Sequence, residues 1–277
     1  MGELKHIDIQ SPGFGEFYDE VPLWSAPFGL WLLDSVSVRS GQTILDVGAG
    51  TGFLTIELAQ RCYPSRVIAV DPWSAATIRL RKKVDFLGLS NVEILECDAA
   101  ALELSDDYVD LIVSNLGINN FDNAADVLRT CWRVARPGAR IVMTSNLVGT
   151  MHEFYDVYRE VLSDAQSVDR LNVLEKHLQH RATPESLRSQ LERAGFRVLR
   201  CLTDSCRLRF ASGNAMMRHL LMRIGFIPAW KEILAPDDNN LLFEKLEKRL
   251  NERTNQIGEL VLTIPMALIE AEKPLSQ

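Results

Sequence analysis

Two carboxylates and three glycines mark where chemistry is most legible in this 277-residue chain. Asp46 closes an apolar run, Thr43-Ile44-Leu45, and Gly48, Gly50 and Gly52 follow it at alternate positions. Leu54, Ile56, Leu58 and Ala59 then set a helical apolar rhythm. The pattern predicts a buried strand over 43–47, a turn with little side-chain bulk, and a helix over 52–62. Glycines in such a turn let the backbone approach a ligand at the carboxyl end of a strand, where open α/β sheets hold their cofactors. Ala49 and Thr51 complete the turn and share its candidate contacts.

A strand, a glycine turn and a helix also begin nicotinamide-binding domains. Three details separate the two readings. The spacing is G-x-G-x-G, and Phe53 stands where the dinucleotide fingerprint needs glycine or alanine. Asp46 would oppose a pyrophosphate but attract a cationic ammonium or sulfonium. The motif also follows about forty residues of helical lead-in instead of opening the domain.

Further motifs follow in order. Val67-Ile68-Ala69-Val70 is a short buried strand ending at Asp71, with Pro72 and Trp73 next. Val92 to Leu95 is a third strand, ending near Asp98-Ala99. Val109-Asp110-Leu111-Ile112-Val113 is a fourth, running into Ser114-Asn115. Arg133-Val134-Ala135-Arg136-Pro137-Gly138 precedes a fifth, and Thr183-Pro184-Glu185 through Ala194-Gly195-Phe196 frames a helix before a sixth. Here the chain resembles the class I S-adenosylmethionine-dependent methyltransferases, over about residues 40–211 and again over 260–273. The resemblance implies that Asp71 holds the ribose hydroxyls and that Asp98-Ala99 meets the adenine. It places Asn115 beside the transferred methyl group. Trp73 would stack on the adenine or cover the next helix. Asp46, Gly48, Ala49, Gly50, Thr51, Gly52, Pro72 and the lid residue Tyr18 complete the expected cofactor contacts. The cofactor is S-adenosyl-L-methionine and the product S-adenosyl-L-homocysteine. The segment Phe17 to Trp24 resembles a lid folded over the cofactor, although Tyr18 and Trp24 could equally pack on the sheet edge.

These residues need a rigid frame. Strands alternating with helices at 74–87 and 122–135 predict a parallel sheet covered on both faces, an α/β, doubly wound architecture. The resemblance adds a mostly parallel seven-stranded sheet, order 3-2-1-4-5-7-6 with the last strand antiparallel. The expected divisions are a helical lid over 1–40, a Rossmann-like core over 41–212, a helical insertion over 213–256 and a last strand with tail over 257–277. The lid helix spans 22–36. After residue 147 the rhythm changes to helices near 150–163 and 183–195, joined by a polar segment. Met216, Met217, Met222, Phe226 and Trp230 of the insertion would wall the acceptor pocket.

Methyl transfer needs a base only when the acceptor must lose a proton. His152, after the fifth strand, is the candidate. His177 and His180 would share a helix face if that segment is helical, but no third metal ligand stands at a convincing spacing, so no metal is expected. His219 sits among apolar residues as a packed side chain.

Composition sets the outer bounds. Hydrophobic residues make up 47% and charged residues 24%, ordinary values for a soluble globular protein. Phe28 to Val36 is the longest apolar candidate and carries Asp34, so no membrane span is expected. The amino terminus lacks an apolar signal core, and Cys62, Cys97, Cys131, Cys201 and Cys206 form no CxxC pair. Both point to a reduced, cytoplasmic setting. The net charge of −7 disfavours nucleic acid, and Ser114-Asn115-Leu116-Gly117 lacks the Pro-Pro of amino-methylating enzymes. Yet Lys176 to Arg223 holds ten Lys/Arg against three Asp/Glu, a local +7 that leaves −14 elsewhere. Arg207, Arg209, Arg218 and Arg223 could meet an anionic acceptor or an acidic carrier protein, against the plainer reading of solvated arginine.

The expected activity is methyl transfer to a small-molecule acceptor: a phenol or quinol carbon or oxygen, or a carboxylate. The protein is expected as a monomer or homodimer. Its rivals are a catalytically silent methyltransferase-like binding protein and, further off, an NAD(P)-dependent oxidoreductase.

Overall fold

The computed structural model describes residues 24–179, 181–234 and 239–275, together with residues 8, 11, 13 and 14; the side chains of 239 and 240 are excluded. Most of the expected lid, Tyr18 included, and His180 lie outside the described residues.

Seven strands form one sheet: β1 (Thr43–Val47), β2 (Arg66–Val70), β3 (Val92–Leu95), β4 (Val109–Asn115), β5 (Ala135–Asn146), β6 (Arg197–Phe210) and β7 (Leu260–Glu272). Their order is β3-β2-β1-β4-β5-β7-β6. The first five are parallel, with Leu45 opposite Ile68 on one side and Ile112 on the other. β7 runs antiparallel: Gly138 N donates to Lys273 O at 2.8 Å and Lys273 N to Ala139 O at 3.0 Å. Ile44, Leu45 and Val47 of β1 and Val67–Val70 of β2 are apolar and buried because both faces of these strands are covered. The architecture is the one the resemblance implies.

Covering helices are α1 (Ala26–Ser35), α2 (Phe53–Arg61), α3 (Ser74–Leu87) and α4 (Ala124–Val134). On one face Leu32, Leu33 and Val36 meet Ile44, Leu54, Leu58, Leu111, Val142 and Leu268 in a continuous core. Further along the same face, Leu80 of α3 packs on Ala49 and Ala69.

The Arg133–Gly138 segment turns out to be scaffolding. Arg133 donates to the carbonyls of Leu102 and Leu104 and pairs with Asp106. Arg136 binds Asp110 Oδ1 at 2.6 Å, while Asp110 Oδ2 accepts from Thr43 N at 2.8 Å. One carboxylate thus ties the start of β1 to the turn before β5.

The chain divides into two compact units, Met1–Ser145 with Ala182–Thr203 and Met266–Gln277, and Asn146–Arg181 with Asp204–Pro265. The second unit therefore takes in 146–181 as well as most of the expected insertion. It contains α5 (His152–Asp164), α6 (Val168–Gln179), α8 (Gly213–Arg218), α9 (Leu220–Gly225), α10 (Ile227–Glu232) and α11 (Asn239–Ile257); α7 (Pro184–Arg193) belongs to the first. α6 falls on the segment read as a polar connection. It buries only Leu174 fully, and its helically spaced Leu171, Leu174 and Leu178 are few among polar and charged residues. α7 begins as expected, with Thr183 capping and Pro184 first; its third position, Ser186, completes the capping box.

Candidate cofactor-binding site

The glycine turn is folded over the end of β2 by its own backbone. Gly48 N and Ala49 N both donate to Val70 O, at 2.9 and 3.1 Å. Thr51 is buried and its carbonyl accepts from Lys83 Nζ at 2.7 Å. The glycines of this turn all have positive φ, but they serve different needs. A Cβ on Gly52 would overlap Leu80, so this glycine lets α2 start close against α3. A Cβ on Gly50 would meet nothing within 4 Å, so this part of the loop faces open space.

Two carboxylates flank that open loop. Asp46 is 1% exposed, and its Oδ2 accepts from Thr55 Oγ1 at 2.6 Å. Thr55 sits in the first turn of α2 and points back toward the strand, as helical side chains do. Burial raises Asp46 from the ordinary carboxylate range to about 7; the Thr55 bond opposes this, and the charge of Asp71 adds to it. Asp71 spreads two bonds over its carboxylate, Gly50 N to Oδ2 and Trp73 N to Oδ1, both 2.8 Å. Burial raises Asp71 as well, against those two bonds. Among the described residues neither carboxylate has a Lys, Arg or His within 4 Å. Two desolvated carboxylates without a counter-ion suit a cationic ligand, and an open glycine suits a ligand that presses on the backbone.

The other expected contacts divide. Asp98 lies just beyond β3, is exposed, and caps the short turn Ala99–Ala101 through Ala100 N at 2.9 Å. Ala99 is buried and Pro72 exposed. Trp73 packs its ring 5.9 Å from that of Phe14, which is itself buried. Asn115 is held on both sides: Thr144 Oγ1 donates to its Oδ1 at 2.7 Å, and its Nδ2 donates to Ser25 O at 3.1 Å. It fastens β4 to β5 and to the start of α1. His152 begins α5 in the second unit, 53% exposed, with Nε2 3.5 Å from Glu153 Oε1.

Three site-shaping residues escape a reading by pattern. Thr55 was only a helical residue until its hydroxyl met Asp46. Phe14 is a described amino-terminal side chain whose ring lies against Trp73. Gly117 is the third. A Cβ there would overlap Ser114 Oγ and stand 2.9 Å from Val47 O, and a Cβ on Gly48 would stand 3.2 Å from Gly117 Cα. The loops after β1 and β4 therefore nest backbone on backbone. Gly117→Ala is expected to push them apart, costing about 1–3 kcal/mol of stability and weakening cofactor binding. Urea unfolding and calorimetry of the variant check both.

Residues 45–143 match the family described as "Methyltransferase domain". They run from within β1 to within β5 and include the glycine turn, Asp71 and Asp98. This chain carries an S-adenosylmethionine-dependent methyltransferase domain. Among curated proteins it is similar to the "Ubiquinone/menaquinone biosynthesis C-methyltransferase UbiE" of Escherichia fergusonii. The two are 26% identical over 175 residues, 59% of this chain and 70% of that one. In fold, this methyltransferase resembles a putative methyltransferase from Bacillus halodurans, with a TM-score of 0.59 and 17% identity over 89% of this chain and 98% of that one. It also resembles a SAM-dependent methyltransferase from Aquifex aeolicus, with a TM-score of 0.52 and 22% identity over 69% of this chain and 92% of that one. Its cofactor is S-adenosylmethionine. Among the described residues no helix is long and apolar enough to cross a membrane, and no cluster of three or more His, Cys, Asp or Glu could hold a metal.

Proposed function

We propose that this methyltransferase binds S-adenosylmethionine on the β1–α2 turn and methylates a small-molecule acceptor. The observation that carries the site is the pair Asp46 and Asp71: one buried and one partly buried carboxylate, without a basic partner among the described residues, flanking a glycine loop open to ligand. When bound, the cofactor supplies a methyl group already activated by its sulfonium charge. What the chain must add is alignment and exclusion of water. In this reading Asp46 faces the ammonium end and Asp71 the ribose hydroxyls. Asp98, Ala99, Pro72 and Trp73 flank the adenine, and Gly48 to Gly52 give the backbone surface. Asn115, pinned by Thr144 and Ser25, presents a fixed edge beside the methyl group. Tyr18 remains the proposed lid contact.

A phenol or quinol carbon or oxygen is the acceptor class this reading favours, with carboxylates next. The similarity to a quinone-pathway C-methyltransferase supports the first. For a phenolic acceptor the proton must leave, and His152, half-exposed beside Glu153, is the candidate to take it. His152→Ala should lower turnover of a phenol about tenfold or more and leave a carboxylate acceptor unaffected.

Of the arginines that could meet an acidic carrier protein, Arg209 and Arg218 already have partners. Arg209 is engaged by Glu259 at 2.7 and 2.9 Å, and Arg218 Nε by Asn214 Oδ1 at 2.9 Å. Met216, Met217, Met222 and Trp230 are buried in the interior of the second unit, as packing. Incubation with labelled methyl donor and a panel of quinols, phenols and organic acids, with and without carrier protein, tests the acceptor class. Label appearing only in a protein or nucleic-acid fraction would overturn the small-molecule reading.

A further inference from the structure

The second unit contains a guanidinium without a counter-ion. Arg181 Nη2 donates to Tyr155 Oη at 3.3 Å, a long bond to a neutral group. Its Nε is buried and has no acceptor. Among the described residues no carboxylate lies within 4 Å of it, although Arg159, Arg249 and Arg253 in the same unit all pair with Glu or Asp. A buried, unsatisfied charged donor is costly and in native proteins calls for an explanation.

The neighbours of Arg181 are arranged as a rigid wall. Tyr155 is 1% exposed and accepts a second bond from Trp230 Nε1 at 2.9 Å. With two donors on its oxygen, the Tyr155 hydroxyl hydrogen is left for His177 Nε2, 3.3 Å away. Trp230 stacks on Phe154 at 3.9 Å between ring centroids, and its carbonyl accepts from Tyr158 Oη at 2.7 Å. Phenol, indole and imidazole thus satisfy one another and hold the aromatic layer fixed. They leave the Nε–H edge of Arg181 as the unmet donor. That edge of a guanidinium, planar and always charged, matches a carboxylate.

We propose that Arg181, backed by Tyr155, His177 and Trp230, is a recognition site for the carboxylate of an organic acid. A single guanidinium balances a monoanion; a phosphate dianion would remain half-compensated. Organic acids are among the acceptor classes named above, and in that role the site rests on the methyl-transfer reading. As a binding site it does not.

The test is a titration of the full chain with sodium benzoate, followed on the indole N–H resonance of Trp230, which Trp230→Phe assigns. Saturable movement of that resonance is expected. Arg181→Gln should weaken benzoate at least tenfold. Arg181→Lys, which keeps the charge but loses the planar edge, should weaken it severalfold. Should Arg181→Gln fail to fold, Arg181→Lys decides. No saturable shift, or equal affinity in the folded variants, overturns the proposal. Tighter binding of inorganic phosphate than of benzoate overturns the carboxylate assignment. S-adenosylmethionine affinity, measured by calorimetry on the same samples, should be unchanged, so failure here is distinguishable from failure of the cofactor reading.

Discussion

Asp71→Ala is expected to lower affinity for S-adenosylmethionine by about 100-fold or more. The carboxylate receives Gly50 N and Trp73 N, one on each oxygen, and so fixes both the glycine loop and the start of α3. Removing it leaves two N–H groups without an acceptor, a loss of roughly 1–3 kcal/mol each where they are buried, and takes away the proposed ribose contact. Calorimetry with the methyl donor reads the affinity. Gly50→Val is the control that separates loop from ligand. Its side chain would meet no protein atom, so the folded state bears only the strain of a β-branched residue at φ +54, about 1–2 kcal/mol. The ligand would lose the backbone surface it presses on. Wild-type binding in both variants would sink the site assignment.

The second expectation concerns pH and Asp46. Its folded pKa is raised to about 7 from an ordinary 3.8. The native protein without cofactor therefore holds a proton that the unfolded chain releases near pH 4. The stability this group contributes is full below about pH 4 and is lost as pH rises through about 7. Three pKa units correspond to about 4 kcal/mol. A cationic cofactor prefers the ionised carboxylate. Affinity should thus fall up to about tenfold per unit as pH drops below 7, level off above it, and be accompanied by proton release on binding. Asp71, raised in the same direction by burial, steepens the fall at lower pH. Asp46→Asn should make the cofactor-free protein more stable at pH 8, since an amide needs no charge solvation. It should also cost about 1.5–3 kcal/mol of binding, the worth of a bond to a charged group. Calorimetry in two buffers of different ionisation enthalpy, with thermal melts, reads all three quantities. A pH-independent affinity between 5 and 8 would remove Asp46 from the cation's surroundings.

Much of this frame was legible in the residue order. β1 up to Asp46 and Val67–Val70 of β2, buried on both faces, read as apolar runs, and Thr183-Pro184 announced α7 by its cap. α6 was not legible as a helix, because Leu171, Leu174 and Leu178, though helically spaced, are few among polar and charged residues. Nor was the part taken by Arg136. Its pattern pointed to a family turn, and only the fold shows Asp110 shared between that turn and the start of β1.

The sequence by itself determined the α/β alternation, the glycine turn and the acidic strand ends, and through them the methyl donor. These are local facts: strand period, turn chemistry and the charge next to a glycine depend on neighbours a few residues away. Tertiary structure decided which glycine packs and which faces open space. It decided that Thr55 restrains Asp46 from nine residues on and that Gly117 lies against Gly48. It also decided that Arg181 ends beside Tyr155 and Trp230 without a carboxylate among the described residues. Burial and counter-charge are properties of three-dimensional neighbourhoods. Residues as far apart as 155 and 230 acquire them only when the chain has folded.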